Sequence, residues 1–340
     1  MLRQSLLLSA ALFSGLTVAD ALQLNAYAHG GVEGEELEPG EFRARPVITI
    51  EGHGGFENNL EGRPQHYAID GLFGGVLEWG LENGGSFAIE AQVGPAAVWG
   101  EAEHFYGLVH VEEHEESKHQ GTLHAEEHEE EEEHEEHEEE GHAAHSDHED
   151  HGHGSGSPYR RTDVKGYLQV RYEPNEKLAF SAEWKPYYVT GDQGDEETKG
   201  LKNEMVFGAI YAFGDGDVNF ALGDGLETIA DGLFISAKNA TGWESDGMYV
   251  GNYTDVWPGL GFNYDKLNVT LSGGPRFYSP GSYAKLPGRT DWGGEIELEY
   301  PISKNAVVFA HWEPIYSTKG GEGWGKGFQH HVGTGVTFSF

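Results

Sequence analysis

Residues 167–185 read YLQVRYEPNEKLAFSAEWK, and this stretch shows clearly the pattern from which the fold is predicted. Leu168, Val170 and Tyr172 alternate with polar side chains, and a similar alternation resumes after residues 174–177. A period of two places alternate side chains on opposite faces of a β-strand, and a short turn rich in Pro and Asn joins two strands as a hairpin. The stretch therefore predicts an antiparallel hairpin with one apolar and one polar face.

The same pattern recurs along most of the chain. Segments of about ten alternating residues separated by turns are typical of transmembrane β-barrels, which have an apolar lipid face and a polar lumen. Counting them predicts twelve strands, at 44–56, 67–80, 86–100, 162–173, 178–189, 202–213, 217–223, 257–264, 267–276, 290–300, 305–316 and 328–340. We therefore expect an all-β antiparallel transmembrane barrel over residues 44–340, preceded by a periplasmic segment at 22–43.

One region leaves the strand count open. Residues 214–217 have the composition of a tight hairpin turn, and residues 224–256 are predicted to form a long connection. Within that connection, residues 233–238 are compatible with an additional strand or with part of a loop folded into the barrel. Fourteen strands are therefore the alternative to twelve.

The first residues indicate export from the cytoplasm. Arg3 precedes an apolar run at 6–16, which is followed by Ala19-Asp20-Ala21, a pattern of small residues typical of a cleavage site. Asp20 interrupts the run well before the roughly 20 apolar residues of a membrane-spanning helix. Residues 1–21 are therefore predicted to be a signal peptide. The chain has no cysteine, which excludes a small disulfide scaffold.

The last strand resembles the C-terminal assembly signal of bacterial outer-membrane proteins. Its alternating residues share one face and end in an aromatic ring: Val332, Thr334, Val336, Phe338 and Phe340. Gly333 departs from the pattern, since such signals usually have a polar residue there. The resemblance covers this strand alone, and it implies a porin-like β-barrel in the Gram-negative outer membrane, recognised by the assembly machinery through Phe340.

The charge of the chain predicts which partners it binds. The formal net charge is -37, which excludes nucleic acid because phosphate contacts require a basic surface. Residues 101–153 contain 21 acidic residues and one lysine. Divalent metal ions, together with outer-membrane lipid around the barrel, are the expected partners.

The acidic region is also rich in histidine. Thirteen of the 19 histidines of the chain lie there: His104, His110, His114, His119, His124, His128, His134, His137, His142, His145, His148, His151 and His153. Imidazole and carboxylate are both zinc ligands. The region resembles the His- and acid-rich segments of zinc transport proteins and of periplasmic zinc-binding proteins. We expect residues 101–161 to form a long extracellular metal-binding loop, disordered without metal because it buries no apolar surface.

Ligand chemistry ranks the candidate metals. Copper(I) favours thiolate and thioether ligands, whereas this chain has no Cys and three Met. Zinc stands first for mixed imidazole and carboxylate ligands, and nickel, cobalt and copper(II) remain as other divalent metals.

The strand register also predicts which side chains face the lumen. The candidates are His53, Lys165, Arg171, Lys185, Glu295, Glu297, Glu299, His311 and His331. The basic members lie on the fourth and fifth strands and the glutamates on the tenth, so we expect oppositely charged walls and a transverse field across the barrel. The three histidines are compatible with a relay for metal ions or with hydrogen bonding inside a packed barrel.

Two functions follow from these patterns. The first is an outer-membrane channel that captures divalent metal, above all zinc, on its external loop and passes it passively to the periplasm. The alternative is a barrel that serves as an anchor, with the loop as a surface metal buffer or sensor. No nucleophile, base and orienting group form a catalytic set in the sequence, so we do not expect an enzyme.

Overall fold

The computed structural model describes residues 37–57, 64–100, 160–191, 199–223, 229–245, 247–281, 287–319 and 326–340. The predicted signal peptide and the histidine-rich region lie outside them. Among the described residues, no helix has the length and apolar character needed to cross a membrane. The strands are β1 (Phe42–Glu57), β2 (Pro64–Gly80), β3 (Ser86–Gly100), β4 (Arg160–Asn175), β5 (Leu178–Val189), β6 (Gly200–Ala212), β7 (Asp217–Asn219), β8 (Ile229–Glu244), β9 (Tyr249–Tyr264), β10 (Leu267–Pro280), β11 (Arg289–Ser303), β12 (Ala306–Ser317) and β13 (Gly327–Ser339).

Twelve of these strands close into an antiparallel barrel. Strand β1 pairs with β13, where Val47 lies opposite Ser339, and β6 pairs with β8, where Lys202 lies opposite Glu244. The short strand β7 pairs with the first residues of β8 and is not part of the ring. The predicted all-β antiparallel barrel of twelve strands is confirmed.

The two ends of the barrel differ in their connections. The end where β1 begins carries the short turns at 81–85, 176–177, 265–266 and 304–305, and we call it the turn end. Gly84 and Asp265 have φ angles of 80° and 55°, the left-handed conformation common in tight turns. At the opposite, loop end, β3 ends at Gly100 and β4 begins at Arg160.

The strands alternate between an apolar outer face and a polar inner face. On β4, Leu168 and Tyr172 are exposed on the outside, whereas Gln169 and Arg171 are buried in the interior. The outer face of the barrel presents Phe73, Val93, Phe180, Phe207, Phe262, Phe277, Trp292 and Val332. An apolar exterior around a polar interior is the arrangement that lipid requires of a transmembrane barrel.

The prediction for residues 214–256 is wrong in its strand assignment. Strand β8 and the first half of β9 occupy the stretch predicted to be a long connection, and residues 217–223 form no barrel strand. The turn at 214–217 does form, with the Gly216 N–H donating to the Phe213 carbonyl over 3.1 Å. It leads the chain from β6 into the barrel interior, where we call residues 213–223 the inward segment.

Candidate pore and its charged interior

The inward segment is held in the barrel by apolar contacts near the turn end. Its apolar side chains alternate as they would in a strand, but they pack on interior side chains of the barrel instead of facing lipid. Val218 and Phe220 pack in a cluster with Ala179, Ile210, Ala212, Ala230 and Phe234. Ala221 packs with Ile229 and Phe309, and Leu222 packs against Val47, Val76 and Ala88. Burying such side chains favours the folded position by about 1.5–3 kcal/mol for each large apolar group.

Three hydrogen bonds from different strands fix the end of the segment. The Gly223 N–H donates to Glu90 Oε1 over 2.8 Å, and Arg171 Nη1 donates to the Ala221 carbonyl over 2.9 Å. The Thr337 hydroxyl donates to the Leu222 carbonyl over 3.3 Å. The segment is therefore tied to β3, β4 and β13 at once.

Two cavities lie along the interior. The larger, of about 310 Å³, opens at the turn end and has among its lining residues Arg45, Glu78, Arg171, Glu173, Glu299 and Phe309. The smaller, of about 70 Å³, lies nearer the loop end and includes Glu183, Asp255, Arg276, Glu295, Glu297 and Glu313. Phe220 lines both cavities, so the inward segment lies between them.

The interior carries more acidic than basic side chains. Among the residues that the structure describes, nine carboxylates and three arginines are buried: Glu51, Asp70, Glu90, Asp163, Glu183, Asp255, Asp291, Glu297 and Glu299 against Arg171, Arg276 and Arg289. Several buried amide atoms also have no protein partner, including Oε1 of Gln92 and of Gln169 and both side-chain atoms of Gln329. Because buried polar groups require hydrogen bonds, we expect water to supply partners in this interior.

The basic side chains predicted for the lumen lie on its wall, each near a carboxylate. Lys165 Nζ is 2.7 Å from Asp70 Oδ2, Lys185 Nζ is 3.4 Å from Glu183 Oε2, and Arg171 Nη1 is 3.9 Å from Glu90 Oε2. Glu183 lies on the same strand as Lys185, Glu90 lies on the strand next to that of Arg171, and Asp70 lies two strands away from Lys165. These partners neutralise the predicted basic wall locally. The opposite glutamates are placed on the inner face of β11, where Glu297 and Glu299 are buried and Glu295 is half-buried.

The structure brings the three predicted lumen histidines together on β1, β12 and β13. The His331 ring centre lies 5.4 Å from that of His53 and 5.3 Å from that of His311. His53 Nε2 is 3.1 Å from Asp70 Oδ2, and His311 Nε2 is 2.9 Å from Glu51 Oε1. In the described ranges, no group of three His, Cys, Asp or Glu side chains is arranged to hold a metal ion. His53 and His311 are therefore hydrogen-bonded to carboxylates, and His331 lies beside both rings. A relay of metal ions through these histidines stays a hypothesis.

Gly333, which departs from the usual assembly signal, lies beside this network. A Cβ at this position would stand 1.8 Å from His311 Nε2 and 2.4 Å from Glu51 Oε1. The missing side chain therefore makes room for the contact between His311 and Glu51.

Sequence reasoning missed the network around Arg276. This guanidinium donates to Asp255 over 2.8 and 2.6 Å and to Glu313 over 2.8 Å, and its Cζ lies 4.1 Å from the Tyr253 ring centre. Asp255 fell within the predicted connection, so its pairing with β10 was not expected. The available signal was that Arg276 is the one charged residue of β10.

Comparison with known proteins agrees with this architecture. Residues 221–340 match the family described as "Cyanophage outer membrane protein like beta barrel domain". A comparison with curated protein sequences gives no match. The thirteen histidines predicted to bind metal, His104 to His153, lie outside both the matched range and the described residues.

Three solved structures align with most of this chain at low identity and low TM-score. The translocator domain of the autotransporter NalP from Neisseria meningitidis is 13% identical, with 95% of this chain and 92% of that chain covered and a TM-score of 0.38. The NanC porin is 8% identical, with coverage of 86% and 100% and a TM-score of 0.39. The anion-selective porin from Comamonas acidovorans is 10% identical, with coverage of 88% and 100% and a TM-score of 0.32. Together with the family match and the apolar outer face, the closed twelve-stranded ring makes this protein a β-barrel of the outer membrane.

Proposed function

We propose that this protein is a cation-preferring channel that collects zinc on its histidine-rich region and passes it passively to the periplasm. The observation that carries the proposal is the excess of buried carboxylates along a polar interior with two cavities. A lumen with acidic walls favours cations over anions. The histidine-rich region supplies imidazole and carboxylate ligands where β3 and β4 are connected.

In this proposal zinc is a cargo and not a fixed structural ion. The thirteen histidines offer many overlapping ligand sets, so we expect modest affinity spread over several ions, with other divalent transition metals as weaker competitors. Such a region raises the local zinc concentration at the mouth of the barrel. The proposal assigns the chain no enzymatic activity.

A second candidate is a barrel that only anchors a surface zinc buffer or sensor. The inward segment favours it, because this segment fills part of the interior near the turn end with apolar side chains. The two candidates differ in one measurable property, since an anchor does not conduct ions.

The test compares three forms of the full-length protein in planar bilayers and in liposomes that contain a zinc-sensitive dye. They are the natural chain, a chain without residues 104–153, and a chain in which the thirteen histidines of that region are glutamine. The glutamine form keeps the length and the acidic charge, so it isolates the imidazoles. Metal stoichiometry is measured by calorimetry and elemental analysis.

We expect all three forms to conduct potassium, but only the natural chain to bind several zinc ions and to fill liposomes rapidly at limiting zinc. Equal zinc entry in all three forms would remove the capture role and leave a general channel. Zinc binding without conductance in any form would favour the anchor.

We also propose that lipid surrounds the apolar outer face and that the assembly machinery recognises β13. In the structure Val332, Thr334, Val336, Phe338 and Phe340 lie on the outer side of this strand, and Phe340 is 61% exposed. The change Phe340→Ala should lower the amount of folded barrel in the outer membrane. An unchanged amount would contradict this role of Phe340.

A further inference from the structure

Glu299, on the inner face of β11, is a buried carboxylate without a protein partner. Its exposed fraction is 4%, and within the described part of the chain neither oxygen accepts a hydrogen bond or meets a cation. It lines the larger cavity near the turn end. Two other carboxylates of that cavity have partners: Glu78 has Arg45 at 2.8 Å, and Glu173 has the Ser86 hydroxyl at 2.8 Å.

The described neighbours of Glu299 direct their hydrogen bonds to other groups. On β10 it lies opposite Asn268, whose amide donates to Asn263 Oδ1 over 3.1 Å and to the Ala230 carbonyl over 3.4 Å. On β12 it lies opposite Phe309, an apolar side chain. Arg171, which lines the same cavity, donates to the Ala221 carbonyl.

A buried ionised carboxylate without a partner is unfavourable, because burial removes its hydration and no opposite charge replaces it. A proton or a bound cation relieves that cost. The placement of Glu299 favours the cation, because the cavity that it lines reaches Gly84, Asn175 and Asp217 at the turn end and so admits ions from solution.

The same strand carries two more glutamates towards the loop end. Glu295 and Glu297 line the smaller cavity, Glu299 lines the larger, and Phe220 lies between the two cavities. Residues two apart on a strand are about 6.6–6.8 Å apart along its axis. The three carboxylates therefore form a row along β11 that extends past Phe220 of the inward segment.

We propose that Glu299 binds permeating cations and sets the cation preference of the barrel, as the last carboxylate of this row before the turn end. The inference rests on the proposed channel function. The ligand is a partly hydrated cation, for which an unpaired carboxylate oxygen is a suitable ligand.

The test uses the full-length protein with two matched charge-removing changes. Glu299→Gln removes the unpaired carboxylate, and Glu173→Gln removes a carboxylate from the same cavity that already has a partner. In bilayers with a potassium chloride gradient, we expect Glu299→Gln to lower the potassium-to-chloride permeability ratio several-fold, and Glu173→Gln to leave it nearly unchanged. An unchanged ratio in Glu299→Gln would show a protonated structural acid and overturn the inference while the channel stands.

A second measurement does not depend on conduction. Magnesium is added to the detergent-solubilised protein, and the temperature of unfolding is followed by the heat-dependent shift in electrophoretic mobility. We expect magnesium to stabilise the natural chain and Glu173→Gln more than Glu299→Gln. If no form conducts but magnesium still stabilises the natural chain more than Glu299→Gln, the channel function fails and the cation site stands. If no form conducts and magnesium stabilises all forms equally, both proposals fail. Glu299→Asp keeps the charge and should restore most of the effect, which separates loss of charge from misfolding.

Discussion

The backbone N–H of Gly223 donates to Glu90 Oε1 over 2.8 Å, although 133 positions separate the two residues in the chain. Gly223 belongs to the inward segment and Glu90 to β3. The bond therefore joins the inward segment to the barrel wall. Gly223 has a φ of 94°, which L side chains rarely adopt. The bond therefore depends on glycine, and it fixes how far the inward segment reaches into the lumen.

The change Gly223→Val should detach the end of the inward segment. A Cβ there would lie 2.5 Å from Thr49 Oγ1 and 2.9 Å from Thr337 Oγ1, so the segment must move away from the wall. We expect a higher single-channel conductance and a less stable barrel, by about 1–3 kcal/mol.

The matched control is Gly247→Val, at a φ of 88° with open space around the added Cβ. It introduces the same backbone strain at the loop end and should leave conductance near the natural value. Equal conductance in both variants would contradict a narrowing role for the inward segment.

The change Gly333→Ala should break the contact between Glu51 and His311. The added methyl would stand 1.8 Å from His311 Nε2, so we expect a loss of about 1–3 kcal/mol in the free energy of unfolding. Denaturation of the refolded protein in urea measures it. Gly52→Ala is the control on the adjacent strand, because an added Cβ there meets nothing within 4 Å. If both alanine variants lose the same free energy of unfolding, the contact between Glu51 and His311 does not depend on glycine at position 333.

The change Arg276→Ala should strongly destabilise the barrel. It leaves Asp255 and Glu313 near each other without the guanidinium that now bonds to both, and removing one partner of a buried ion pair costs about 3–5 kcal/mol. The temperature at which the folded band disappears on a gel reports the loss. The double change Arg276→Met with Asp255→Asn removes both partners together, and it should recover part of the stability. No recovery would mean that packing against Tyr253 and Trp257 matters more than charge.

Zinc binding by the full-length protein should weaken as the pH falls from neutral to mildly acidic values. Zinc takes the neutral form of imidazole, so protons compete with it in the range where histidine titrates. Calorimetry at several pH values measures the change, with the glutamine form of residues 104–153 as the control. A pH-independent affinity would point to carboxylates as the ligands instead of the thirteen histidines.

Much of the fold was predictable because the relevant signal is local. The alternation in β4 and β5 follows from the two environments on either side of each strand, and neighbouring residues report it directly. The same argument placed Lys165, Arg171 and Glu299 on the inner side. It could not give their partners. Lys165 meets Asp70, Arg171 meets Glu90 and Glu299 meets neither, and these contacts depend on how the strands are arranged around the ring.

The error between residues 213 and 256 has a similar origin. Val218, Phe220 and Leu222 alternate as lipid-facing residues do, but they pack on apolar side chains inside the barrel. Alternation shows that one side of a segment is apolar. It does not show whether that side faces lipid or packs on apolar side chains inside the barrel. In β8, Lys238, Asn239 and several small residues obscured the lipid-facing pattern.

Alternation with a period of two was enough to predict the antiparallel barrel, and composition was enough to place most histidines in one region, since both are properties of neighbouring residues. The predicted number of twelve strands agrees with the structure, although residues 217–223 were counted in the place of β8. The tertiary structure alone decided that residues 213–223 enter the lumen, that Gly333 makes room for Glu51 and His311, and that Glu299 lacks a partner. Each of these depends on side chains that come from distant parts of the chain, and only closure of the ring brings them within contact distance.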